Sequence, residues 1–152
     1  MHSVHIAAVS TCAFTLHLAW ELLQCEVFFV HGSYDSSMAA MVKASVGDVI
    51  LTWILYVIVA VVSRRWRWAV GPWSGRQIAT LLVASTALAA DVEVRGLLAE
   101  RWSYSDLMPI VPFLGVGVVP VVQLLVLTPA VVLLAERLSA PGRTIGGRDD
   151  SP

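Results

Sequence analysis

Long apolar runs alternate with short polar stretches along the whole chain. Windows near 20 residues, the length a helix needs to cross hydrocarbon, select four spans, at about 4–30, 45–63, 77–99 and 113–136. The stretch between the second and third spans holds Arg64, Arg65, Trp66, Arg67, Trp68, Gly71, Pro72, Trp73 and Arg76. Such a basic, tryptophan-rich turn suits the cytoplasmic headgroup zone. Between the first and second spans, Ser36 or Ser37 is placed to cap a short helical run over Met38 to Val42. The second outer loop, Glu100 to Pro112, is stiffened by Pro109 and Pro112 and carries Trp102, Tyr104 and Asp106. Its character is that of a lid or rim.

Composition agrees with a membrane chain. Hydrophobic residues make up 57% and charged residues 14% of 152, and the mean hydropathy is +0.75, well above the soluble norm of roughly 45–50% apolar. Ten basic and eleven acidic residues give a net charge of -1, which supplies no basic field for nucleic acid. Seven of the basic residues (Arg64, Arg65, Arg67, Arg76, Arg137, Arg143, Arg148) fall on one side of a four-span plan, against Lys43, Arg95 and Arg101 opposite. The positive-inside rule then puts both termini in the cytoplasm. The N-terminal run lacks a basic leader and continues through Ala19, too long for a cleavable signal. The expected fold is all-α: an integral four-helix bundle over 1–138 of a multi-pass inner-membrane protein, followed by a disordered cytoplasmic tail at 139–152. Cys12 and Cys25 lie thirteen residues apart in one helix, about 20 Å and beyond disulfide reach.

Polar groups inside these spans are the candidates for function, because an ionisable side chain in hydrocarbon costs several kcal/mol unless it faces protein or a wet cavity. Counting about 20 residues outward from the basic boundary, at about 1.5 Å each, sets Glu21, Asp48, Asp91, Glu93 and Gln123 in roughly the outer third. In the first span His17, Glu21 and Gln24 share one helix face at i, i+4, i+7, with Trp20 adjacent. Gly47, Gly115, Gly117 and Pro120 permit close approach or loosened backbone near this level. Asp91 is spaced to pair with Arg95 at i+4, and Gln123 also suits interhelical hydrogen bonding. His2, His5 and His31 read as incidental, and Glu26, Glu100 and Asp106 as solvated.

Two carboxyls in a low-dielectric pocket repel, so one can keep its proton while the other is ionised, and the pair can serve as acid and base. Such a pair suits isomerisation, cyclisation or hydration of a lipophilic alkene, with Trp20, Trp102 and Tyr104 facing a developing cation. Glu21 and Glu93 are the expected catalytic pair, with Asp48 and His17 assisting, and Trp20, Gln24, Trp102, Tyr104 and Gln123 binding a lipophilic substrate from the bilayer. No cofactor is needed. A single well-placed histidine argues against zinc or haem, and the sequence holds no G-x-x-x-x-G-K-[ST], G-x-S-x-G, H-E-x-x-H or C-x-x-C. Two other readings use the same residues: a proton-coupled transporter or ligand-binding protein acting through Glu21, and an accessory subunit whose polar groups only specify packing.

The segments His17-Leu-Ala-Trp-Glu-Leu-Leu-Gln24, Gly47-Asp48, Glu93 through Trp102-Ser-Tyr104, Met108-Pro109, Gly115-Val-Gly117, Pro120 and Gln123 resemble a group of small bacterial four-span membrane proteins. That resemblance spans most of the chain and implies no activity. A membrane glutamate followed by Gly96 and an aromatic-x-Tyr pair is similar, more distantly, to carotenoid hydratase and cyclase membrane proteins. The four-span plan with acidic residues also resembles the sterol-isomerase-like EXPERA group. Both imply acid-initiated chemistry on isoprenoid or sterol skeletons.

Overall fold

A computed structural model describes residues 2–30 and 38–139. Four helices dominate: α1 His2–Phe28, α2 Met38–Ser63, α3 Gly75–Leu98 and α4 Val118–Ser139. Two short strands, β1 Phe29–Val30 and β2 Ser103–Tyr104, pair antiparallel with Phe29 opposite Tyr104. The helix α1 packs on α2 and α4, and α3 packs on the same two, so the four close into a ring with α1 and α3 across its diagonal.

The apolar surface faces outward as well as in. Leu23 is 79% exposed, Val61 68% and Val83 70%, while Leu55, Val59, Val131 and Val132 fill the interior. A bundle apolar on both faces is built for lipid. Three helical segments, Ser3–Phe28, Met38–Ser63 and Val118–Ser139, are long and apolar enough to cross a membrane, which marks the chain as a membrane protein.

Helix boundaries follow local chemistry that hydropathy does not register. The helix α3 begins with a reciprocal capping box: Ser74 Oγ accepts from the Gln77 N–H at 3.3 Å, and Gln77 Oε1 accepts from the Ser74 N–H at 2.7 Å. This satisfies two backbone donors that the first helical turn leaves open. The helix α2 begins at Met38, so the run over Met38 to Val42 is the start of the second long helix. The proposed caps Ser36 and Ser37 lie outside the described residues, as do His31 and the expected tail beyond Ser139.

The fourth helix starts at Val118, five residues later than the expected 113. Phe113 (φ 70) and Gly115 (φ 68) are left-handed, an angle no helical residue adopts. The Val111 N–H donates to the Val116 carbonyl at 2.8 Å and the Val118 N–H to Pro109 at 2.7 Å, closing a tight turn over apolar residues. Within α4, Pro129 withholds one backbone donor from the helix ladder.

The end of the bundle that carries the basic turn departs from expectation. Trp68 is fully buried instead of lying among headgroups; its indole N–H donates to the Tyr56 carbonyl at 3.0 Å. His5, read as incidental, is also buried. Its Nε2 lies 3.2 Å from the Tyr56 hydroxyl and its Nδ1 3.5 Å from Glu136, which pairs with Arg67 at 2.6 Å. A cluster of α1, α2, α4 and the basic turn therefore locks this end. Replacing Glu136 by Ala removes the carboxylate that Arg67 and His5 Nδ1 face and is expected to cost about 1–3 kcal/mol; denaturant titration in mixed micelles measures it.

Candidate active site

Every helix contributes a polar side chain to one level of the bundle. On α1 the i, i+4, i+7 stripe turns inward, with His17 and Gln24 buried and Glu21 half-buried. On α2, Asp48 sits one turn from the buried Thr52; Glu93 of α3 and Gln123 of α4 are also buried. Glu21, Gln24, Asp48, Glu93, Gln123 and Trp102 line a single cavity of about 670 Å³, walled by Leu51, Ile50, Ala89, Pro120 and Leu124. That volume lies within the range of small-molecule pockets, roughly 300–1,000 Å³.

The amide of Gln123 is the hub. Its Nε2 is 3.0 Å from His17 Nδ1, 3.0 Å from Asp48 Oδ2 and 3.3 Å from Glu21 Oε1. An amide carries two hydrogens, so three acceptors compete for two protons. Gln24 Nε2 completes the group, donating to Glu21 Oε1 at 3.1 Å and to Gln123 Oε1 at 3.3 Å. His17 accepting at Nδ1 is the neutral tautomer with its proton on Nε2, directed at Thr52 Oγ1 at 3.1 Å. Asp48 Oδ2 lies 3.6 Å from the same Nδ1, longer than a hydrogen bond.

Glu93 is held from the other side. Its Oε2 accepts from the Trp102 indole at 3.3 Å and from the Tyr104 hydroxyl, and Tyr104 in turn accepts from the Gly117 N–H at 2.9 Å. Burial and the bond to Glu93 push the Tyr104 phenol above its ordinary range, so it remains a donor at any working pH. The β1–β2 pair brings the Phe29 ring edge-on to both Trp102 and Tyr104, at 6.4 and 5.8 Å. Ser105 adds bonds to the Phe28 and Val27 carbonyls at 3.0 and 2.8 Å. The loop between α3 and α4 is thus strapped onto the end of α1 and fixes Glu93.

Gly96 is required by this strap. A Cβ built there would lie 2.0 Å from Trp102 Cζ2, far inside contact distance. Gly96→Ala is expected to displace the indole from Glu93 and to cost about 1–3 kcal/mol, as overpacking does, read as a lowered thermal midpoint.

The expected residues divide as follows. Glu21, Gln24, Asp48, Glu93, Trp102 and Gln123 meet at the cavity, whereas His17 lies behind its floor and Tyr104 behind Glu93. Trp20 does not line the cavity, and its buried indole nitrogen has no partner among the described residues; one residue along a helix is a turn of about 100°, which takes it off the Glu21 face. Asp91 pairs with Arg95 at 2.9 Å on the surface. Sequence reasoning missed Thr52, whose signal is its i+4 spacing from Asp48, and the wall residue Phe29, which has none. It also missed Lys43 and Arg101, both on the cavity wall. Among the described residues no three His, Cys, Asp or Glu side chains are grouped to hold a metal ion. No family model, curated protein or solved structure matches the chain.

Proposed function

We propose that this chain is a four-span inner-membrane protein, with cytoplasmic termini, whose cavity near the outer face carries out acid/base chemistry on a lipophilic alkene of isoprenoid type. The observation that carries the reading is the Gln123 amide, which gathers Glu21, Asp48 and His17 onto one cavity also lined by Glu93. At 24 residues α3 reaches about 36 Å, enough for a fourth crossing, with Glu93 turned inward and the Asp91–Arg95 pair at the exposed outer end.

In the proposed isomerisation, the Glu21 carboxyl gives its proton to one alkene carbon, and the π electrons form the new C–H bond. The neighbouring carbon becomes cationic beside Trp102, whose ring face stabilises the charge. Glu93 removes a proton from an adjacent carbon, and those electrons form the new double bond. The proton returns from Glu93 to Glu21 across the cavity. Cyclisation intercepts the cation with a second alkene, and hydration with water. Asp48 and His17, joined to Glu21 through Gln123, hold the site's proton inventory.

Lipid extracts of cells with and without the protein, compared by mass spectrometry, test this. The expected result is one lipophilic species depleted and an isomer, cyclised isomer or hydrate enriched when the protein is present. Identical lipid profiles would overturn it. The proton-coupled transporter reading draws on the second polar cluster, His5, Tyr56, Arg67 and Glu136, at the inner end of the same bundle. It predicts instead proton-driven uptake into vesicles with no chemical change in the substrate.

A further inference from the structure

We infer that the cavity floor recognises a protonated nitrogen, a primary or secondary ammonium carried on a single lipophilic body. Among the described residues, the floor is made of two amides, Gln24 and Gln123, and three carboxyls, Glu21, Asp48 and Glu93. The amide N–H groups of Gln24 and Gln123 are all engaged, by Glu21, Gln123, His17 and Asp48. Gln24 Oε1 is buried and accepts from nothing, in a side chain only 5% exposed. The bonds described above to Glu21, Asp48 and Glu93 fall on one oxygen of each, Oε1, Oδ2 and Oε2 respectively.

An unpaired buried acceptor costs about 1–3 kcal/mol, and three acidic groups in one low-dielectric cavity repel one another. A ligand bearing N–H donors and one positive charge relieves both. Among the described residues no three His, Cys, Asp or Glu side chains are grouped to hold a metal ion, and the cation proposed is an organic ammonium. The walls, Leu51, Leu124 and Trp102, accept an apolar body and offer a ring face to the charge. Lys43 and Arg101, exposed and without an ion pair among the described residues, also border the cavity. They disfavour a second positive charge, which limits the ligand to a monocation.

The inference rests on the cavity of the proposed function but fails separately from it. A protonated amine carries the charge of the proposed cationic intermediate, so it binds as a stable mimic if the chemistry occurs, and as the natural ligand if it does not.

Titration calorimetry of the full chain in nanodiscs of neutral zwitterionic lipid tests it, with dodecylammonium, dodecanol and dodecanoate as probes. Dodecylammonium is expected to bind saturably, at least about 10-fold tighter than dodecanol, the scale of a charge-assisted hydrogen bond. Combining Asp48→Asn with Glu93→Gln should weaken it by at least about 10-fold. Combining Lys43→Gln with Arg101→Gln, both at exposed positions that do not endanger folding, should tighten it by about 3-fold through reduced repulsion. Dodecanol binding as tightly as the amine would overturn the inference. So would tightest binding of dodecanoate, weakened by the Lys43 and Arg101 substitutions, since that marks an anion site. Ammonium binding unchanged in the Asp48/Glu93 variant would also overturn it.

Discussion

Glu21→Gln and Glu93→Gln are each expected to lower turnover of the lipophilic substrate by about 10²–10⁴-fold, the usual contribution of a general acid or base, while leaving the protein inserted and monodisperse. Glutamine has the size of glutamate and keeps a carbonyl oxygen. At position 21 that oxygen can still accept from Gln24 and Gln123, and at position 93 from Trp102 and Tyr104. The hydrogen-bonded frame therefore survives and only proton transfer is lost. Initial rates measured beside a size-exclusion profile separate these effects. Full activity in either variant would remove that carboxyl from the chemistry, and full activity in both would leave the cluster a packing device.

Gln123→Leu is expected to be the most damaging single change to stability within the cluster, by about 2–4 kcal/mol. The leucine fills the space but donates nothing. Three acceptors, His17 Nδ1, Asp48 Oδ2 and Glu21 Oε1, lose a donor at once, and Gln24 loses an acceptor. Each buried group left unpaired costs about 1–3 kcal/mol, reduced where residual exposure lets water in. Glu21 and Asp48 are only half-buried, which keeps the total below the simple sum. Denaturant titration in mixed micelles reads the loss. A change under about 0.5 kcal/mol, the level of an ordinary surface substitution, would show that the amide is not the hub its distances indicate.

The sequence made the cavity cluster legible because two simple rules coincide there. Helical periodicity puts His17, Glu21 and Gln24 on one face, and a count from the basic boundary puts Asp48, Glu93 and Gln123 at the same depth; the structure places all six in or directly behind one cavity. Neither rule ranks the members. Gln123, which reads as interhelical glue, occupies the centre because its amide donates toward three acceptors at once, His17 Nδ1, Asp48 Oδ2 and Glu21 Oε1. The rule also fails for Trp20, where adjacency in sequence is not adjacency on a helix face.

The cluster of His5, Tyr56, Arg67 and Glu136 was illegible for a different reason. His5 and Glu136 are separated by nearly the whole chain, and each looks like an ordinary boundary residue; only the packing of α1 on α4 joins them. The strap was partly legible. Pro109, Pro112, Trp102 and Tyr104 announced a rigid rim, yet the contact of Gly96 with the Trp102 ring depends on a turn that composition does not encode. The late start of α4 belongs to the same class, since hydropathy counts Phe113 as apolar and is blind to the left-handed backbone at Phe113 and Gly115.

Acid-initiated chemistry leaves an isotopic record even when the substrate is unknown. Proteoliposomes supplied with a total lipid extract in D₂O should transfer a deuteron from the exchangeable Glu21 carboxyl to carbon, where it no longer exchanges. High-resolution mass spectrometry after return to H₂O should then show a lipophilic product carrying at least one carbon-bound deuterium with the wild-type protein, and none with Glu21→Gln. No lipid acquiring carbon-bound deuterium with the wild-type protein, or equal labelling by the Glu21→Gln variant, would contradict the acid/base account.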